Sequence, residues 1–140
     1  LEVAGNPTPV TAAEARFSLP YVIATALIRG SVRLEAFSDS ALADPNLREL
    51  MTRIELAVDP ELDAAFPGQR AARITIETRD GQSNTFLQPT RKGDPEAPLT
   101  DRDLDEKFIE LAAPVVGIEH ARTLLARLWR LEAQTDLLWH

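Results

Sequence analysis

The chain has 140 residues, 22 acids against 15 bases, a net charge of −7, 44% hydrophobic residues and no cysteine. The length suits one domain, and the acidic balance without any basic run excludes a general nucleic-acid surface. The missing cysteines exclude disulfides, thiolate nucleophiles and Cys-type zinc sites. No signal peptide or membrane-spanning run is visible, so a cytoplasmic protein without membrane contact is expected.

The chain begins with Leu1 and holds a single methionine, Met51, and is read as a piece of a longer protein. Leu1–Val10 carries two prolines and a glycine and reads as an extended lead-in. Thr11–Arg16 can form a helical turn. From Val22 to Ile28 every residue but Thr25 is apolar. Ser18 suits the N-cap, Pro20 the first turn and Gly30 the C′ position, so this run is a helix. Being apolar on nearly all sides, it is expected to be the central helix, buried nearly all round. Tyr21 and Arg16 stand at its N-terminal end, where N–H groups and the helix dipole attract anions.

Val32, Leu34 and Phe37 suggest a short amphipathic segment. Asp44-Pro45 starts a helix that runs to about Arg53. Ile54, Leu56 and Val58 alternate with Glu55, Ala57 and Asp59 and predict a first strand. Pro60–Arg70 reads as a polar connection. Ile74 and Ile76 predict a second strand, Asp80-Gly81 a type I′ hairpin turn, and Ser83–Gln88 a third strand antiparallel to the second. After the loop Pro89–Leu99, Thr100 caps a helix, with Asp103 as its capping-box partner. Pro114–Gly117 interrupts that helix, and Ile118 to about Ala133 forms the last. The order α-α-β-β-β-α-α predicts an α+β fold, a small antiparallel sheet of about three strands packed with helices.

The candidate chemistry is sparse. Tyr21 is either a core tyrosine bonded to backbone or a hydroxyl at a cleft edge. Arg91-Lys92-Gly93 is the best local anion site in an acidic chain. His120 and His140 lack the partners of a metal site. Asp101, Asp103, Asp105 and Glu106 complement a helix N-terminus and lack the spacing of a calcium loop. There is no nucleophile triad, phosphate cradle or dinucleotide fingerprint. The residues by themselves define an α+β domain and no reaction.

Glu14-Ala15-Arg16-Phe17-Ser18-Leu19-Pro20-Tyr21, followed by an apolar helix ending in Gly30, resembles the C-terminal region of the MmgE/PrpD family. Asp44-Pro45 to Arg53, Asp59-Pro60-Glu61-Leu62, Arg79-Asp80-Gly81, Lys92-Gly93-Asp94-Pro95 to Pro98-Leu99-Thr100 and Asp105-Glu106-Lys107-Phe108 agree in order and spacing. The resemblance implies that residues 1–100 form a small α+β domain. Residues 101–140 are then terminal helices that pack on an N-terminal helical domain absent from this chain. It implies a lyase or isomerase parent acting on small di- or tricarboxylates, with 2-methylcitrate dehydratase-like proton abstraction and elimination of water as the first expectation. Tyr21 would be catalytic, and Arg16, Ser18, Arg91 and Lys92 would bind substrate. Phe17 stands where some members have histidine, which leaves the substrate open. The remaining catalytic groups would lie before Leu1. No metal or organic cofactor is implied, and a homodimer is expected. The alternative is a non-catalytic binding or interaction domain with the same fold.

Overall fold

The computed structural model describes residues 4–134; His140 lies outside them. The described chain divides into two compact units, Leu1–Phe66 and Pro67–His140.

The first unit is helical. Thr11 caps α1 (Ala12–Arg16) in a full capping box with Glu14. Ser18 caps α2 (Leu19–Arg29), and Gly30 ends it in the left-handed conformation at φ 74°, donating to the Ala26 carbonyl. Glycine reaches that region without the Cβ penalty of other residues. A 3₁₀ turn at Leu34–Phe37 leads through the Ser38 cap to α3 (Asp39–Leu42). Asp44 caps α4 (Pro45–Met51) and Asp59 caps α5 (Pro60–Ala65), each with proline in the first turn. The core joins Ala15, Tyr21, Ala24, Leu42, Leu47 and Met51, with Phe37, Leu50 and Ile54 against it.

Two expectations are corrected in this unit. Ile54–Val58 is not a strand and pairs with nothing among the described residues. The next element is α5, whose Asp59-Pro60 start repeats the Asp44-Pro45 signal. The Asp59 carboxylate accepts from the Glu61 and Leu62 amides at 3.0 and 3.3 Å, which fixes a helix entry where a strand would have ended. The central helix is also not covered all round. Pro20, Tyr21, Ala24 and Thr25 are buried, whereas Leu27 and Ile28 are 49% and 43% exposed. All-round apolarity shows that a helix can be covered on every side; this unit supplies a core to only one.

In the second unit β1 (Ala72–Glu77) and β2 (Ser83–Gln88) form an antiparallel hairpin in register Ile74↔Phe86 and Thr75↔Thr85. The sheet therefore has two described strands instead of three, and the α+β class holds. The turn is not type I′. Gly81 takes φ 84°, and among the described residues no non-glycine has a positive φ. Thr78 donates its amide to the Gln82 carbonyl at 2.8 Å, and Gly81 donates to Thr78. This is the three-residue connection with glycine at the left-handed position. α6 (Asp101–Val116) carries Pro114 within its last turns and stops at Gly117, before α7 (Ile118–Leu128). A second 3₁₀ turn follows at Leu131–Ala133. Pro114 thus does not break the helix where it stands; α6 ends three residues later, at Gly117.

Candidate functional site

Arg16, Ser18 and Tyr21 lie together where α1 passes into α2. Ser18 is fully buried. Its Oγ accepts from the Tyr21 amide at 3.3 Å and donates to the Asn6 carbonyl at 2.5 Å. The Leu19 amide donates to the Ala4 carbonyl at 2.8 Å, and Pro20 has no amide proton. Each first-turn donor of α2 is therefore satisfied by the chain itself. A helix N-terminus binds an anion through open N–H groups, and this one is closed by Ser18 and the lead-in segment.

Tyr21 is fully buried. Its hydroxyl donates to the Ala36 carbonyl at 2.5 Å and ties α2 to the 3₁₀ turn. The ring lies 6.1 Å from Phe37, tilted by 30°. Burial raises the phenol above its ordinary value, with the positive charges of Arg29 and Arg48 working against the rise. Within this unit the hydroxyl is a structural donor. Arg16 is exposed and stacks its guanidinium over the Phe37 ring at 5.4 Å, a cation–π contact on the rim of the same cluster. Phe17, beside it, is 65% exposed.

Arg48 carries a role that the sequence reading missed. It donates Nε to the Leu42 carbonyl at 2.8 Å and Nη2 to the Pro9 carbonyl at 2.6 Å, lashing the lead-in to α3 and α4. Its only local signal was a basic residue midway along α4, which does not distinguish an inward arginine from a solvated one.

Arg91 and Lys92 belong to the other unit. Arg91 makes a forked pair with Asp94, Nε to Oδ2 at 3.0 Å and Nη2 to Oδ1 at 2.8 Å. Lys92 Nζ reaches Asp103 Oδ1 at 2.6 Å. Asp103 Oδ2 also accepts from the Thr100 amide and hydroxyl at 3.0 and 2.7 Å, completing the cap of α6. Lys92 first, and then Thr100, hold the Asp103 carboxyl well below the usual carboxylate range; Arg91 does the same for Asp94. Both basic side chains are thus already matched with carboxylates of the chain. Among the described residues no group of three or more His, Cys, Asp or Glu side chains is placed to hold a metal ion, and no helix is long and apolar enough to cross a membrane.

Two predictions follow from this geometry. Tyr21→Phe leaves the buried Ala36 carbonyl without its donor, which costs about 1–3 kcal/mol. Its melting temperature should fall by several degrees, and an unchanged value would show that the bond contributes nothing. The second concerns acid. Asp94 and Asp103 have folded-state pKa values below their unfolded ones. Their contribution is therefore present above the unfolded pKa, near 4, and is lost as pH falls through the depressed folded values. In a melting-temperature profile followed by α6 resonances, Asp103→Asn should flatten part of the decline below about pH 4. A parallel decline in both proteins would contradict the assignment.

A profile of the MmgE/PrpD C-terminal domain matches residues 1–132. Cis-aconitate decarboxylase of Homo sapiens is 28% identical over 136 residues, 97% of this chain and 28% of that protein. The Mus musculus cis-aconitate decarboxylase is 27% identical over the same shares. A cis-aconitate decarboxylase-like protein of Aspergillus oryzae is 30% identical over 131 residues, 92% of this chain and 26% of that protein. The chain spans just over a quarter of the length of these relatives. With the profile match running over nearly its whole length, the chain belongs to the MmgE/PrpD family, as its C-terminal domain.

Proposed function

We propose that this chain is the C-terminal part of a lyase that acts on small di- or tricarboxylates. It would provide a folded frame beside a site whose proton-abstracting groups come from a helical domain outside residues 1–140. The observation that carries this reading is the family match over residues 1–132, together with relatives named for decarboxylation of cis-aconitate. Those names set loss of CO₂ beside loss of water as the bond-breaking step. Loss of water needs a base for the proton next to a carboxylate and an acid for the departing hydroxide, whereas loss of CO₂ leaves a carbanion that takes up a proton; both develop negative charge that positioned cations stabilise.

The internal bonding of the candidate groups supports that division of labour. The Tyr21 hydroxyl is bonded to Ala36, the Ser18 hydroxyl to Asn6, and Arg91 and Lys92 to Asp94 and Asp103. A site needs a base, a clamp and room for a reacting atom between them, and the groups named here do not provide that set by themselves. The same bonding supports a second reading, a non-catalytic binding domain that keeps the fold.

Turnover separates the readings. Residues 1–140 alone, incubated with cis-aconitate, 2-methylcitrate or citrate and followed by NMR, should form no product. A longer polypeptide that carries this domain together with a helical domain should convert at least one of them. Sustained product from residues 1–140 would overturn the division of labour. A longer protein inert toward all three would favour the binding reading.

A further inference from the structure

Thr25 lies one turn after Tyr21 on α2, and both residues are fully buried. Residues four apart on a helix share a face, so Thr25 belongs to the same inward stripe as the phenol. Among the described residues, Thr25 Oγ1 is the one buried side-chain oxygen or nitrogen without a hydrogen-bond partner. A buried hydroxyl left in that state is costly. Valine would fill nearly the same shape without that cost, so the oxygen calls for a partner. One acceptor is the Tyr21 backbone carbonyl, which a helical threonine can reach one turn back. That carbonyl already accepts the Thr25 amide in the helix ladder. The other is the Tyr21 phenol oxygen, which can accept while its proton goes to the Ala36 carbonyl. Burial raises the phenol, and after Arg29 and Arg48 the Thr25 hydroxyl counters that rise as a hydrogen-bond donor. The two oxygens are therefore neighbours, short of a formed bond.

We propose that Thr25 is a positioning residue for Tyr21: its hydroxyl donates to the phenol oxygen while the phenol donates to the Ala36 carbonyl. The result is a directed chain of two hydroxyls that ends on backbone. Each bond in such a chain polarises the next. Thr25 thus strengthens the bond from Tyr21 to Ala36 and keeps the phenol proton aimed at that carbonyl. The charged groups that act on the phenol are Arg29, Arg48 and Asp44, and the chain needs no change in the charge of any of them. This inference is independent of any turnover.

Tyr21 is the single tyrosine of the chain, so its hydroxyl can be read directly in the 140-residue protein. The intensity ratio of the tyrosine Raman doublet separates a phenol that both donates and accepts from one that only donates. The unsubstituted protein at neutral pH should give the ratio of the first kind. Thr25→Val should shift it to the second, and Thr25→Ser should restore it. Stability should be coupled in the same way, read as a double-mutant cycle. In the unsubstituted background Thr25→Val should lower the melting temperature by a few degrees. In Tyr21→Phe, where Thr25 has lost its acceptor, the same change should leave the melting temperature unchanged or raise it. Circular dichroism checks that each variant is folded. A doublet that Thr25→Val does not move would overturn the assignment, as would a melting-temperature shift from Thr25→Val that is the same in both backgrounds.

Discussion

The buried hydrogen bond from the Tyr21 hydroxyl to the Ala36 carbonyl is the constraint around which the first unit is arranged. It joins the start of α2 to a turn fifteen residues later. A buried phenol and a buried carbonyl are each costly if left unpaired, so the pair fixes how the chain returns after Gly30. Phe37 is thereby set against the Tyr21 ring, and Arg16 closes over Phe37 from outside. Ser18 ties the same helix end back to Asn6, and Arg48 ties the lead-in to α3 and α4. The result is a core assembled from short helices, each with its own cap, in which the polar groups at the α2 entry bond to one another.

The second unit is built differently. Its hairpin is largely exposed on both faces, although one face sets Ile74 and Ile76 opposite Phe86 and Asn84. An isolated two-stranded hairpin is marginal in water. Cross-strand pairing of Thr75 with Thr85, whose hydroxyls lie 3.0 Å apart, adds only a few tenths of a kcal/mol to about 1 kcal/mol. The loop before α6 is pinned by Arg91–Asp94 and Lys92–Asp103. Exposed ion pairs of this kind contribute little individually, so the loop is ordered more by the cap of α6 that Asp103 completes than by the charges themselves. Phe86 and Leu87 of the hairpin stay 59% and 53% exposed, and the relatives are more than three times as long as the chain.

Local chemistry was the legible part of the sequence. Ser18, Gly30, Asp44-Pro45 and Thr100 with Asp103 each marked a helix end, because a cap is decided within four residues. The Arg79-Asp80-Gly81 hairpin was visible for the same reason, though which residue takes the positive φ was not. The failures have physical causes as well. Ile54, Leu56 and Val58 alternate like a strand, but a strand needs a partner, and pairing cannot be read from one segment. Asp59-Pro60 carries the same cap chemistry as Asp44-Pro45, and a helix starts there within the segment that reads as a polar connection. For the site, the sequence located Ser18 and Tyr21 together, yet could not say whether the hydroxyls point at a cleft or at backbone. That choice depends on Asn6 and Ala36, which only the tertiary fold brings near.

The central claim is that the first unit is a self-sufficient core around Tyr21, whereas the second unit's hairpin depends on surfaces beyond itself. Native-state hydrogen exchange on the 140-residue chain measures both at once. Amides within α2, such as those of Ala24 and Thr25, should exchange only through the largest opening of the first unit, while the ladder amides of the hairpin should exchange faster by roughly a hundredfold or more, through local opening. Hairpin amides protected as strongly as those of α2, or α2 amides exchanging as fast as the hairpin, would contradict the account.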